Sequence, residues 1–309
     1  MPVINRCIPT FYPSSNGSKG AGKMRKVTIV TDSTADIPVT MTEELNIHVV
    51  PLNVHFGEET YEDGVDLGAE DFYKKLRESR DIPTTSQPSP ARFEEVYRNL
   101  YKETGTEIIS IHLSAKMSGT FQSAHIAQQT LEGEIPVDVI DSKRASYAIG
   151  VIVVEAAQLA EQGASKAEVM DRINEMLEEA NVYFMVDTLE YLQKNGRIGK
   201  ASALVGSLLK IKPILSLTKE GEVYPFEKVR GQKKAIQKIL AEMTKNYNGK
   251  PLHVGISHAE AEGDAELIME QVKEQFEVEQ EVITNIGPVI GAHVGPGTVA
   301  VSVTPVRRK

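Results

Sequence analysis

Short apolar runs separated by amphipathic stretches recur from Val27 onward, and this alternation restricts the chain more than any other feature. Val27–Thr31, Ile47–Val50, Ile108–Ile111 and Val137–Ile140 are too short for helices and lack a polar face, so they read as strands buried on both sides of a parallel sheet. Helical periodicity fills the intervals near Met41–Leu45, Glu70–Ser79, Pro90–Tyr101 and Thr120–Leu131. The order is βαβ, which predicts an α/β domain with ligands beyond the carboxyl ends of its strands. Asp32-Ser-Thr34, Ser114 to Thr120 and Asp141-Ser142 all fall at that edge.

Two helices close this half, Ala145–Glu161 and Lys166–Ala180, with a break at Gly163-Ala-Ser165. Further strands are expected at Val182–Val186, Pro213–Leu217, Glu222–Val229, Leu252–Ile256, Val282–Asn285 and Thr298–Val303. Two helices lie among them, one carrying Ile236, Ile239, Leu240 and Met243 and the other Ile268, Val272 and Phe276. Val299, Val301 and Val303 alternate, so the last strand should have one wet face. The expected organisation is an N-terminal parallel α/β domain over 24–164 and a C-terminal mixed α/β domain over 165–309. Residues 1–23 mix Pro, Ser, Gly and Asn without apolar period and read as a disordered extension. Gly17 to Lys23 matches the spacing of a phosphate loop, but Met24 stands where Ser or Thr would bind magnesium. It also precedes a strand instead of following one, so the match is treated as chance.

Several chemistries are disfavoured. A net charge of −9 with no Trp argues against a nucleic-acid surface and against polybasic membrane docking, and no apolar run reaches bilayer-spanning length. The single cysteine, Cys7, cannot form an intrachain disulfide. The seven histidines include no pair at metal-binding helical spacing, and His112 and His253 sit within apolar strands as core residues do. Neither G-x-S-x-G nor G-x-G-x-x-G occurs where a hydrolase elbow or a dinucleotide loop would need it.

What survives is an anion site. Ser86-Gln-Pro-Ser-Pro90 and Leu113 to Ala124 set hydroxyls just ahead of helices, where exposed amides and Ser or Thr hydroxyls hold a carboxylate or phosphate without a full cation. Ser114, Ser118 and Thr120 equally suit plain helix capping. Asn285 to Gly297 carries too many glycines and prolines for a regular element and is expected to let backbone approach a ligand closely. His293 within it either donates to an oxyanion or bonds a loop carbonyl. Arg230, at a strand end, is either a second donor or a solvated surface residue, and Arg197 in Asn195-Gly-Arg-Ile-Gly199 either meets a partner or keeps a turn wet.

Six motifs in one order, Thr31-Asp-Ser-Thr-Ala-Asp-Ile-Pro38, Thr85-Ser-Gln-Pro-Ser89, Leu113 to Ala124, Ile140-Asp-Ser142, Asn195-Gly-Arg197 and His293-Val-Gly-Pro-Gly297, resemble the DegV family of bacterial fatty-acid-binding proteins. The resemblance spans Met24 to the C-terminus. It implies a two-domain fold in which a three-layer parallel-sheet domain and a mixed-sheet domain enclose one long-chain fatty acid. It further implies a cytoplasmic, non-catalytic protein without cofactor or metal, which presents that acid to a separate fatty acid kinase related to dihydroxyacetone kinases. The kinase makes an acyl phosphate for phospholipid synthesis, and transient contact with a membrane surface stays open. By position, Thr85, Ser86, Ser118, Gly119 and Thr120 resemble the head-group site, with Arg230 and His293 as its basic residues and Arg197 as a partner contact. Ala115-Lys-Met117 departs from the smaller residues expected there. The alternative is a hydrolase or phosphoryl-transfer enzyme using Ser118 and His293 with Asp32 or Asp141.

Magnitudes favour a lipid over a small polar acid. A hydrogen bond to the carboxylate contributes about 1–3 kcal/mol net. Each buried methylene contributes roughly 0.8 kcal/mol, so ten give on the order of 8 kcal/mol, comparable to micromolar binding. The tail would supply affinity and the head-group site orientation.

Overall fold

The computed structural model describes residues 25–205 and 212–307. The extension expected at 1–23, the phosphate-loop-like stretch and Cys7 lie outside the described residues.

The first half runs β1 (Val27–Asp32), α1 (Val39–Glu44), β2 (Ile47–Val50), β3 (Asn53–Phe56), β4 (Glu59–Glu62), α2 (Ala69–Glu78), β5 (Thr84–Ser86), α3 (Pro90–Thr104), β6 (Glu107–His112), α4 (Thr120–Thr130), β7 (Val137–Asp141) and α5 (Tyr147–Glu161). The second continues through α6 (Lys166–Glu179), β8 (Asn181–Met185), α7 (Glu190–Lys194), β9 (Lys212–Leu217), β10 (Val223–Val229), α8 (Gln232–Tyr247), β11 (Leu252–His258), α9 (Glu262–Gln275), β12 (Val278–Asn285), α10 (Pro288–Val294) and β13 (Val299–Pro305).

The four apolar runs of the first half form one parallel sheet in the order β2-β1-β6-β7. It is covered by α3 and α4 on one face and by α5 on the other, the three-layer arrangement that buries a strand apolar on both sides. The second sheet is mixed, in the order β10-β9-β8-β13-β11-β12, with β11 and β12 parallel and its other pairs antiparallel. It packs α8 and α9 against one face and α5 with α6 against the other. Helix α5 is therefore shared by both sheets. Buried from Tyr147 to Ala157 without a break, it has no polar face, as a middle layer requires.

Two expectations are corrected, and one sheet was not expected. The last strand has no wet face, because β13 is central: Val299, Val301 and Val303 enter the α8/α9 core, while Ala300, Ser302 and Thr304 turn toward α5 and α6. The Gly- and Pro-rich stretch 285–297 is not irregular throughout. Pro288 starts α10 at the first helical turn, where a missing N–H costs nothing, and Gly295, with φ 75°, ends it. The short antiparallel sheet β4-β3-β5, with strands of three or four residues, carries no period long enough to read.

Candidate functional site

The carboxyl edge of the parallel sheet is rigid because its acids are committed to it. Asp32, fully buried at the end of β1, accepts from the Thr34 hydroxyl and N–H, from Leu113 N–H at 3.1 Å and, through Oδ2, faces His112 Nδ1 at 2.9 Å. His112 Nε2 in turn meets Ser110 Oγ at 2.7 Å, so this histidine is the satisfied core residue its strand position suggests. Asp141, at the end of β7, accepts from Ala115 N–H and Lys143 N–H at 3.2 and 2.9 Å. Together the two carboxylates fix the loop that begins at Leu113. Within it, Ser114 Oγ donates to Gly221 O of the second half at 2.8 Å, Lys116 is exposed, and Ser118 Oγ accepts from Thr120 N–H at 3.3 Å and meets Thr120 Oγ1 at 2.9 Å. Of the two roles considered for these hydroxyls, capping is the one that the contacts of Ser118 with Thr120 show. Ser118 caps, while Gly119, the N-cap residue of α4, brings no side chain of its own.

The second hydroxyl loop meets the first directly. Gly119 packs against the Gln87 side chain, where a Cβ would sit 3.0 Å from Nε2. Alternation along β5 sends Thr85 and Ser86 to opposite faces. Thr85 Oγ1 reaches His293 Nε2 at 2.9 Å, whereas Ser86 Oγ is held by His55 Nε2 at 2.9 Å, with Thr60 Oγ1 on the other ring nitrogen. Burial pushes His293 down to about 4, and the nearby Arg197 adds to the shift, so its imidazole is neutral at neutral pH. Its Nδ1 is buried without a hydrogen-bond partner. With the ring proton on Nε2, His293 would donate to Thr85 Oγ1 and leave the threonine hydrogen free to donate into the cavity; with it on Nδ1, Thr85 would donate to the ring.

Arg197 comes to the same place. Its Nε donates to Met117 O at 2.9 Å and its Nη1 to Asn195 O at 2.6 Å, while Asn195 Nδ2 donates to Ala292 O at 2.8 Å and to Pro83 O at 3.2 Å. The Asn-Gly-Arg turn therefore ties both hydroxyl loops to α10, and Arg197 stands at the mouth, not only on an outer surface. Arg230 does not join them: it is exposed just past β10 and is not part of the cavity lining.

Behind this mouth lies a cavity between the two halves, about 850 Å³ when the open solvent at its mouth is counted with it. Thr85, Ser86, Gln87, Ser118, Arg197 and His293 line it with Leu52, Leu113, Met117, Val182, Phe184, Leu192, Leu217, Val223, Val289, Ile290, Val294 and Ala300. A few polar groups with a long apolar wall is the lining of an amphiphile site. The apolar wall escaped the sequence reading because its residues come from elements far apart in the chain. Arg197 and Gln87 carried a signal, being inside motifs already singled out.

The hydrolytic arrangement is not assembled. His293 Nε2 engages Thr85, its Nδ1 has no hydrogen-bond partner, and Asp32 and Asp141 are committed to the loops. Among the described residues no group of three or more His, Cys, Asp or Glu is placed to hold a metal ion, and no helix is long and apolar enough to cross a membrane.

Comparison with known proteins places these features in one family. The family model described as "Uncharacterised protein, DegV family" matches residues 26–306. A DegV domain-containing protein of Halalkalibacterium halodurans is 40% identical over 282 residues, covering 90% of this chain and 98% of the relative. A fatty-acid-binding DegV family protein from Thermus thermophilus superposes with a TM-score of 0.86 at 36% identity, covering 91% of this chain and 100% of the other. DegV of Bacillus subtilis, described as a fatty acid binding protein, gives 0.83 at 37%, with the same coverage.

Proposed function

The chain belongs to the DegV family, and from that premise we propose that it binds one long-chain fatty acid between its two halves and presents the carboxylate to a partner kinase. The observation that carries this reading is the cavity itself, whose mouth gathers hydroxyls and whose wall is apolar. In this reading Thr85 and Ser118 donate their hydroxyls and Gly119 its N–H to the carboxylate. His293 orients Thr85, and Arg197 supplies the positive charge at the mouth. Ser86 is held back by His55, and Thr120 supports Ser118. Arg230 is left out of the set. The domains are residues 24–164 and 165–309, with α5 as the layer between their sheets.

The tail supplies most of the affinity, at roughly 0.8 kcal/mol per buried methylene. The neutral donors then fix where the carboxylate points, which is what a kinase related to dihydroxyacetone kinases needs in order to form an acyl phosphate in the cytoplasm. Arg197, exposed at the mouth and next to the carboxylate, suits the extra charge of that product. The test is mass spectrometry of an organic extract of the purified protein, followed by incubation with a fatty acid kinase and ATP. About one long-chain fatty acid per chain, converted to acyl phosphate only when the kinase is added, is the expected result. A lipid-free extract with no uptake of oleate or palmitate removes the binding reading, and ATP turnover without the kinase removes the division of labour.

A further inference from the structure

The two hydroxyls that follow one another in β5 each meet a histidine. Thr85, opposite Val54 of β3 in the ladder, shares its face with that core residue and reaches His293. Ser86, opposite Asn53, lies on the other face together with His55, because side chains alternate along a strand. His55 Nε2 stands 2.9 Å from Ser86 Oγ, and its Nδ1 stands 2.9 Å from Thr60 Oγ1. Thr60, His55 and Ser86 thus form one row across the small sheet, from β4 through β3 to β5, running from an exposed hydroxyl to a half-buried one. Ser86 ends β5, and there it lines the cavity as Thr85 does.

A serine hydroxyl has one hydrogen to donate and a neutral imidazole has one N–H. With that hydrogen on Nδ1, His55 donates to Thr60, Ser86 donates to Nε2, and the serine has nothing left to give. With it on Nε2, His55 donates to Ser86, Thr60 donates to Nδ1, and the Ser86 hydrogen is free for an acceptor in the cavity. The Thr60 hydroxyl suits either arrangement, so an anion at Ser86 selects the second. The carboxylate already has Thr85, Ser118 and Gly119. Of the other polar groups in the lining, Ser146 donates to Asp36, and Thr298 donates to Val294 O and Gly295 O. Ser86, Gln87 and Arg197 are left for the oxygens of a phosphoryl group joined to that carboxylate.

We propose that Ser86 receives the phosphoryl group of the acyl phosphate and that His55 is its positioning residue, donating through Nε2 so that the serine hydrogen turns to the ligand. This rests on the fatty-acid reading above and gives the product a contact that the acid itself does not use. The free acid is held by the inner hydroxyls. The product gains one more directed donor, backed by the ring and by Thr60 behind it, and hydrogen bonds to an ionised acceptor are the strong ones. The protein therefore holds its product more tightly than the acid from which the product is made.

The probe is the phosphonate in which a methylene replaces the bridging oxygen of oleoyl phosphate, titrated beside oleate into the wild-type chain, His55→Leu, His55→Gln, Ser86→Ala and the double variant His55→Leu with Ser86→Ala. Wild type is expected to prefer the phosphonate, and His55→Leu to lose about tenfold of that preference, the effect of one hydrogen bond to an anion. His55→Gln, whose amide can donate to Ser86, should restore most of it. In the Ser86→Ala background His55→Leu should cost no further preference, whereas a histidine that only supports the fold would add its loss there too. Nitrogen NMR of the wild-type phosphonate complex should find a hydrogen on His55 Nε2, and this measurement decides the matter if His55→Leu does not fold. A bare Nε2, equal loss of both ligands in His55→Leu, or a further loss in the double variant overturns the proposal. Oleate uptake without any preference for the phosphonate removes this proposal alone, while a wild-type chain that takes up neither ligand removes the fatty-acid reading and this one with it.

Discussion

Thr85 Oγ1 and His293 Nε2 are 2.9 Å apart although 208 residues separate them in the chain. The contact joins an edge strand of the small sheet to the end of α10, and it converts a buried neutral histidine into a support for a hydroxyl donor. Thr85→Val keeps the shape and removes the donor. It should weaken oleate binding by about 1–3 kcal/mol, measured by equilibrium titration. Fatty acid should still copurify, and kinase-dependent acyl phosphate formation should fall further, since a carboxylate free to rotate is badly placed for transfer. Ser118→Ala should behave alike. Loss of binding and of phosphorylation in proportion would reduce Thr85 to a packing role.

Ala300 lines the cavity from the start of β13. Ala300→Phe should occlude the tail path and displace several methylenes at roughly 0.8 kcal/mol each, lowering oleate affinity more than hundredfold while the melting temperature of the delipidated protein stays within a few degrees. Equal affinity for oleate in this variant would place the tail elsewhere.

Gly255 on β11 accommodates Tyr147 of α5, since a Cβ there would lie 2.0 Å from the tyrosine Cδ1. Gly255→Ala should destabilise the protein by about 1–3 kcal/mol through overpacking, read from denaturant midpoints. Adding Tyr147→Leu should return part of that loss, and no recovery would locate the strain at another contact.

The central strands β1 and β6 were legible because burial on both faces leaves largely apolar runs, whereas the edge strands β2 and β7, expected to be buried on both faces, are only partly buried; the hydroxyl loops were legible because their motifs are contiguous. Helix α10 was not legible. Its first residue is a proline, and Gly291 packs where a Cβ would lie 2.7 Å from the rings of Phe72 and Tyr73, a packing demand that looks like loop composition when read along the chain. Nor could composition tell Thr85 from Ser86: strand alternation in β5 separates them, and a three-residue strand announces no phase. Arg230 ends a strand as a ligand-binding arginine would, but it is the other end of β10, at Val223, that lines the cavity.

His253, buried in β11 beside Tyr147, is pushed down to about 4 by desolvation alone, and its Nδ1 has no partner. A depressed value means the folded state binds the proton less readily than the unfolded chain. The contribution is therefore present above the ordinary histidine value near 6.5 and is lost as pH falls toward 4. Asp63 acts in the opposite sense, losing its contribution as pH rises from 3.8 toward 7. The comparison must therefore be between wild type and His253→Phe: their difference in unfolding free energy should change by up to roughly 3 kcal/mol between neutral pH and pH 4. A difference that does not move with pH would mean that His253 stays neutral in both states.

Placing α5 between two sheets also orders events during synthesis. When the first sheet emerges from the ribosome, one side of α5 is already packed, while the side meant for the second sheet faces solvent with Val151, Val154 and their neighbours bare. That side is not fully covered until β13 slots between β8 and β11, and β13 follows every other strand in the chain. The nascent protein thus carries an apolar surface without its native cover for nearly half of its translation, a long window for the exposed-surface aggregation open to larger chains.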